Sequence, residues 1–211
     1  GQLMKKTITI SLLLVLIIGI AGGRKVRAMS GEPQGKYRVK EHKRVENVEV
    51  IENFKMPQLG EGKQRQVSIY LPPNYETTDK SYPVIYMQDG QQLFDNKTAN
   101  YGGWKVDETI NRLVKEGKTE GAIVVGIYNG MRGREYVPWA NRKFDKNLCH
   151  RYLKWMVNTL KPYIDRHYRT KPGRKYTGIA GSSLGGVLAL YGGLKYQDVF
   201  SRIGSFSTCY W

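Results

Sequence analysis

A chain of 211 residues with 40% hydrophobic content is long enough for one domain with a sizeable core, which excludes wholesale disorder. The formal charge of +16, from 34 Lys and Arg against 18 Asp and Glu, would favour acidic partners such as nucleic acid, anionic envelope polymers or membrane headgroups. The basic residues are scattered outside the stretch from Lys36 to Arg44, so most of the excess reads as a solvated surface.

Near the N-terminus, Lys5 and Lys6 precede an apolar run from Ile8 to Ala21, too short for a comfortable membrane span and suited to the hydrophobic region of a secretory signal. Gly1-Gln2-Leu3 before Met4 suggests translation of an open frame, with Met4 as the start. A small-residue exit lies at Val26-Arg27-Ala28. Arg24, Lys25 and Arg27 disfavour export and keep an uncleaved anchor open as the alternative; translation from Met29 would remove the segment altogether. The expectation is a signal or anchor over residues 1–28 and a secreted or envelope location. Residues 29–44 are polar, carry Gly and Pro, and read as a linker, with the folded domain over 45–211.

Val48 and Val50 open a first strand, and Gln66 to Leu71 alternates strictly as a second, closed by Pro72-Pro73-Asn74; the two are expected to form an antiparallel hairpin. Pro83 to Met87 is a continuous apolar run, the mark of a strand covered on both faces, and it ends at Asp89-Gly90. A helix is predicted from about Trp104 to Glu116, and another buried strand over Ala122 to Ile127. From Asn147 to Tyr168, apolar residues fall on one helical stripe that Pro162 should kink or divide. Arg202 to Phe206 is the last strand candidate. Strands alternating with helices predict an α/β fold, a mostly parallel sheet with helices on both faces and ligands beyond the carboxyl ends of the strands.

The chemistry concentrates at Gly181-Ser182-Ser183-Leu184-Gly185, a Gly-x-Ser-x-Gly with a strand pattern before it (Tyr176 to Ala180) and a helix pattern after it (Val187 to Tyr191). At so sharp a reversal, side chains two residues either side of Ser183 would collide with the turn, and Gly181 and Gly185 remove them. The turn lifts the Ser183 hydroxyl above the sheet and aims the Leu184 N–H, at a helix start, toward a developing oxyanion. On these residues alone, an ordinary strand, Gly/Ser loop and helix of any α/β protein is the alternative. A phosphate loop is disfavoured, because no Gly-x-Gly-x-x-Gly or Gly-Lys-Ser/Thr is present. Gly90, after a predicted parallel strand, would let the backbone approach an acyl carbonyl. Asp89, Gln91, Arg134 and Glu135 are candidate pocket residues, against an Asx-type turn, a loop amide and a structural ion pair.

Together with Tyr70-Leu71-Pro72, the run Tyr86 to Asp95, Trp104 with Val106-Asp107-Glu108, Val125 to Gly130, Leu160 to Asp165 and Tyr168-Arg169-Thr170, the elbow resembles the putative-esterase family of α/β-hydrolases. That group contains enterochelin esterases, S-formylglutathione hydrolases, feruloyl esterases and mycolyltransferases. The resemblance implies an α/β-hydrolase sandwich, Ser183 as nucleophile, and the Gly90 and Leu184 N–H groups as the oxyanion hole. It implies a small-molecule or polysaccharide-linked ester as substrate. No motif points to a cofactor, a metal or nucleic acid, and a membrane partner is implied only by an uncleaved N-terminal segment.

One departure stands out. The family orders its triad serine, acid, histidine, and no histidine follows Ser183. His42, His150 and His167 all precede it, and Asp198 is the one acid after it. The chain is therefore expected to be an inactive, C-terminally incomplete fragment of a serine ester hydrolase. The alternatives are an acyltransferase on the same scaffold or a non-catalytic basic envelope-binding module. Cys149 and Cys209 are expected as buried thiols in preference to a bridge.

Overall fold

The computed structural model describes residues 37–43, 45–99, 102–139 and 147–209. The apolar run from Ile8 to Ala21, with its signal or anchor reading, lies outside the described residues. Among these, no helix is long and apolar enough to cross a membrane.

Seven strands form one sheet: β1 (Val39–Glu41), β2 (Val48–Lys55), β3 (Gln64–Tyr70), β4 (Val84–Gln88), β5 (Ile123–Ile127), β6 (Thr177–Ser182) and β7 (Arg202–Phe206), in the order β1-β2-β3-β5-β4-β6-β7. The predicted β2–β3 hairpin is present and antiparallel. β1 pairs with β2 inside the stretch read as linker, so the sheet begins at Val39 and not at residue 45. The expectation of a mostly parallel sheet needs correcting in its proportion. β5–β4–β6–β7 are parallel, whereas β1–β2, β2–β3 and β3–β5 are antiparallel, because the N-terminal hairpin docks on β5 by its second strand.

Side chains alternate across the sheet and divide the core in two. Val84, Tyr86, Ile123, Val125, Ile127 and Ile179 point to one face, where they meet helices α3 (Cys149–Trp155), α4 (Lys161–His167) and α5 (Leu184–Lys195). Met87, Val124 and Ala180 point to the other, with Leu93, Phe94 and the partly buried Val106 and Ile110 of α1 (Val106–Lys115). Burying strands on both faces is what makes β4 and β5 read as unbroken apolar runs. A fifth, short helix, α2 (Arg132–Glu135), follows β5.

The predicted division at Pro162 takes the form of a π-helical turn, Met156–Leu160, between α3 and α4. A proline here removes one N–H and crowds the carbonyl four residues back, and the wider turn absorbs both. Around the last strand, Phe200 is buried, Ile203 and Phe206 are 41% and 50% exposed on β7, and Tyr210 and Trp211 lie outside the described residues. Cys149 is buried and Cys209 only partly so, and the two do not form a disulfide; the expectation of two buried thiols holds for Cys149 alone.

Candidate active site

β4 and β6 are parallel neighbours with Met87 opposite Ala180, so Gly90 and Ser183, each three residues further on, leave the sheet at the same level. Ser183 sits between the last residue of β6 and the first of α5 with φ 55° and ψ −121°, a conformation an L-residue adopts only under strain of about 1–3 kcal/mol. The turn is held by its backbone: Ser183 N–H donates to the Phe206 carbonyl (3.0 Å), and the Ser183 carbonyl accepts from Gly186 and Val187 N–H. Ser183 is half-buried, and α5 runs from it into a core.

The elbow glycines differ in how tightly they are required. A Cβ on Gly181 would lie 2.4 Å from the Gly185 carbonyl oxygen and 2.5 Å from its carbon, a collision with backbone. On Gly185 it would meet Gln88 Cβ at 3.1 Å and Asp89 Oδ2 at 3.2 Å, so the first turn of α5 rests on the end of β4. Gly90 opens a short 3₁₀ turn, and a Cβ there would lie 2.6 Å from the Gly126 carbonyl carbon. The Gly90 backbone is thereby pressed against β5. The Leu184 N–H, first in its helix, has no intrahelical acceptor and is free to serve an external one. The Gly90 and Ser183 turns thus leave neighbouring parallel strands at one level, with Leu184 directly after the serine.

The other predicted residues fall in two groups. Asp89 and Gln91 flank Gly90. Asp89 is left-handed (φ 58°, ψ 50°), and its carboxylate accepts Asn129 Nδ2 (2.8 Å) and Arg132 Nη2 (3.0 Å), with Arg132 Nε 2.9 Å away. The Gln91 side-chain oxygen accepts the Asn129 N–H (3.2 Å). Glu135 is turned away, buried against Arg65 (2.6 Å) at one side of a groove of about 430 Å³ between the start of β3 and the β5–α2 loop. Arg134 Nη1 reaches Met131 Sδ (3.5 Å). Behind the elbow, the Tyr152 hydroxyl donates to Gln88 Oε1 (2.8 Å), and burial holds that phenol well above its ordinary pKa, so it remains a donor.

Sequence reasoning missed Arg132 and Asn129, which meet Asp89 only because β5 lies beside β4. It also missed the aromatic pair of Trp104 and Phe206, partly exposed rings 5.7 Å apart. Phe206 carries the carbonyl that receives Ser183 N–H, and Trp104 N–H donates to the Gln92 carbonyl, so the pair flanks both halves of the site.

The histidines are placed elsewhere. His150 Nδ1 is 3.3 Å from the Tyr191 hydroxyl and 3.2 Å from Lys195 Nζ, and Tyr191 lies about 12 Å along α5 from Ser183 at 1.5 Å per residue. His167 stacks on Tyr163 and bonds its carbonyl (2.8 Å). The described His42 backbone lies beside β2, across the sheet from β6. Among the described residues no cluster of three or more His, Cys, Asp or Glu could hold a metal ion.

A strained serine between a strand and a helix, level with a glycine turn on the adjacent parallel strand, defines an α/β-hydrolase fold. Residues 60–211 match the model of the esterase family, described as "Putative esterase", and the chain belongs to that family. It is 29% identical over 153 residues to the uncharacterized protein YbbA of Bacillus subtilis, covering 70% of this chain and 58% of the relative. It is 28% identical over 150 residues to an endo-1,4-beta-xylanase/feruloyl esterase of Xylanibacter ruminicola, covering 69% of this chain and 20% of that protein. A solved ferulic acid esterase superposes with a TM-score of 0.57 at 27% identity, over 76% of this chain and 60% of its own. The chain thus spans about three-fifths of the Bacillus relative and of the esterase structure.

Proposed function

We propose that the intact protein hydrolyses carboxylic esters through an acyl-serine intermediate formed on Ser183. The observation that carries this is the strained Ser183, presented level with the Gly90 turn. Ser183 Oγ attacks the acyl carbon while a general base takes its proton. The oxyanion that forms is held by the Gly90 and Leu184 N–H groups, and its collapse expels the alcohol, which leaves with the proton from the base. Water then attacks the acyl-serine by the same steps, releasing the acid and restoring the hydroxyl. With His150 and His167 engaged away from the elbow, the base in this reading is a histidine supplied from outside the 211 residues.

The Trp104–Phe206 pair supports acyl groups with a planar or aromatic portion, because flat rings stack on exposed aromatic faces. The test is turnover of p-nitrophenyl acetate and of a feruloyl ester by the full-length protein and by Ser183→Ala. Turnover unchanged in Ser183→Ala would refute the reading. Acyl transfer to an added alcohol or sugar in preference to water would make the protein a transferase on the same intermediate. The reading also places the protein outside the cytoplasm, carried by the apolar run from Ile8 to Ala21. Fractionation should find it shortened outside the cytoplasm or full-length in the membrane, and a full-length soluble cytoplasmic product would contradict it.

A further inference from the structure

We infer that Arg132 is a positioning residue that, through Asp89, holds the two oxyanion donors in register with each other; the inference rests on the ester-hydrolase reading above. Asp89 adopts a left-handed backbone immediately before Gly90, a conformation that Asp tolerates only in single residues with local support. That backbone turns the chain out of β4 and so sets the direction of the Gly90 N–H. The carboxylate is what the surroundings grip. Arg132 faces both its oxygens, with Nε 2.9 Å from Oδ1 and Nη2 3.0 Å from Oδ2, and Asn129 Nδ2 adds a third contact at 2.8 Å. Gln91, on the other side of Gly90, accepts the backbone N–H of the same Asn129 with its side-chain oxygen (3.2 Å). Both neighbours of Gly90 are therefore fastened to the segment that follows β5.

The same carboxylate also touches the elbow. Its Oδ2 lies 3.2 Å from where a Cβ on Gly185 would stand, next to Leu184, which supplies the second donor. Asp89 is thus wedged between the first turn of α5 and the guanidinium of Arg132, with one oxyanion donor beside it in the chain and the other beside it in space. Arg132 completes the wedge from the far side. A role in gripping a substrate anion is disfavoured, because the guanidinium already faces a carboxylate and the pair is neutral as a unit. A purely structural role is also disfavoured. Arg132 is 36% exposed at the edge of the site, and the Asp89 carboxylate keeps the Asn129 Nδ2 donor when the guanidinium is removed, so the carboxylate is not stranded. The consequence of losing it should appear in the transition state.

The test uses the full-length protein with Arg132→Gln and Arg132→Lys, comparing kcat, KM, the inhibition constant of a boronic acid that mimics the tetrahedral adduct, and the crystal structures. Misplacing a catalytic group by about 1 Å costs roughly a hundredfold, so Arg132→Gln should lower kcat about 10- to 100-fold. KM and the melting temperature should stay close to wild type, and the boronic acid should weaken by the factor lost in kcat. Arg132→Lys should recover part of the loss, since an ammonium keeps the charge without the fork. If Arg132→Gln does not fold, Arg132→Lys decides by the same readings. An unchanged kcat, or a raised KM at constant kcat, would overturn the inference. So would a variant structure in which Asp89 and Gly90 keep their conformation. That structural comparison decides the positioning role even if the wild type proves to lack Ser183-dependent ester hydrolysis, an outcome that would sink only the proposed function.

Discussion

Gly90→Ala would test the proposed oxyanion hole by adding one methyl group where the structure leaves no room. The new Cβ would lie 2.6 Å from the Gly126 carbonyl carbon, 2.7 Å from its oxygen and 2.9 Å from the Ile127 carbonyl carbon. All three are backbone atoms of β5, a strand paired on both sides, so β5 does not yield and the Gly90 turn must move. Restoring ordinary contact at 3.4 Å requires a shift of about 0.8 Å in the segment that carries the N–H. Displacements of that size cost roughly a hundredfold in rate, and complete loss of an oxyanion donor costs roughly 10²- to 10³-fold, about 2.7–4 kcal/mol. The expected result in the full-length protein is therefore a fall in kcat of about 10²-fold or more, with KM little changed. Overpacking should also lower stability by about 1–3 kcal/mol. Gly173→Ala is the matched control, since a Cβ there meets nothing within 4 Å and its φ of −69° suits alanine. Steady-state kinetics on p-nitrophenyl acetate with parallel thermal melts would decide. A Gly90→Ala enzyme with kcat within about threefold of the control would refute the placement of the oxyanion hole.

Four further outcomes follow from the geometry. Gly181→Ala places a Cβ 2.4 Å from the Gly185 carbonyl oxygen, so the elbow must open; labelling of Ser183 by a fluorophosphonate should slow at least tenfold, and labelling at the wild-type rate would contradict the strained-turn account. Arg65→Met strands the buried Glu135 carboxylate and should cost about 3–5 kcal/mol in urea denaturation, with Arg65→Met/Glu135→Leu recovering most of it; a single variant as stable as wild type would refute this. Asp107 is held above the usual carboxylate range chiefly by burial, and one of its oxygens is buried without a partner, so the folded state binds its proton more tightly than the unfolded chain. That contribution is fully present below the unfolded pKa and lost as pH rises through the folded one. Asp107→Asn should therefore raise the melting temperature more at pH 7 than near pH 4, and a lowered value at pH 7 would be the contrary result. Burial pushes the Cys149 thiol up to about 12, so iodoacetamide at pH 8 should modify it only in denaturant, as peptide mass mapping would read.

What could be read along the chain was what depends on near neighbours. Gly181 and Gly185 are dictated by a reversal completed within five residues, and the strand before and the helix after Ser183 carry their own periodicity. The β2–β3 hairpin and the unbroken apolar runs of β4 and β5 announced themselves in the same way. Pro162 marked the disturbance of its helix, because its effect reaches only one turn back. The share of parallel pairing was misjudged for a related reason. Alternation and run length say that a strand exists and which faces are covered, but not which strand it lies beside.

Composition and local pattern therefore determined the class of fold, the elbow, the glycine at the end of β4 and the apolar N-terminal segment. Only the tertiary structure decided what surrounds them. Placing β5 between β3 and β4 brings Asn129 and Arg132 onto Asp89 across some forty residues of chain, and pairs Arg65 with Glu135 across seventy. It sends His150 to Tyr191 and Lys195, and joins Trp104 to Phe206 across about a hundred residues of chain. The physical reason is one of range. A turn or an amphipathic face is stabilised by residues a few positions apart, whereas an ion pair or a ring contact depends on strand order, which is chosen by the burial of the whole sheet at once.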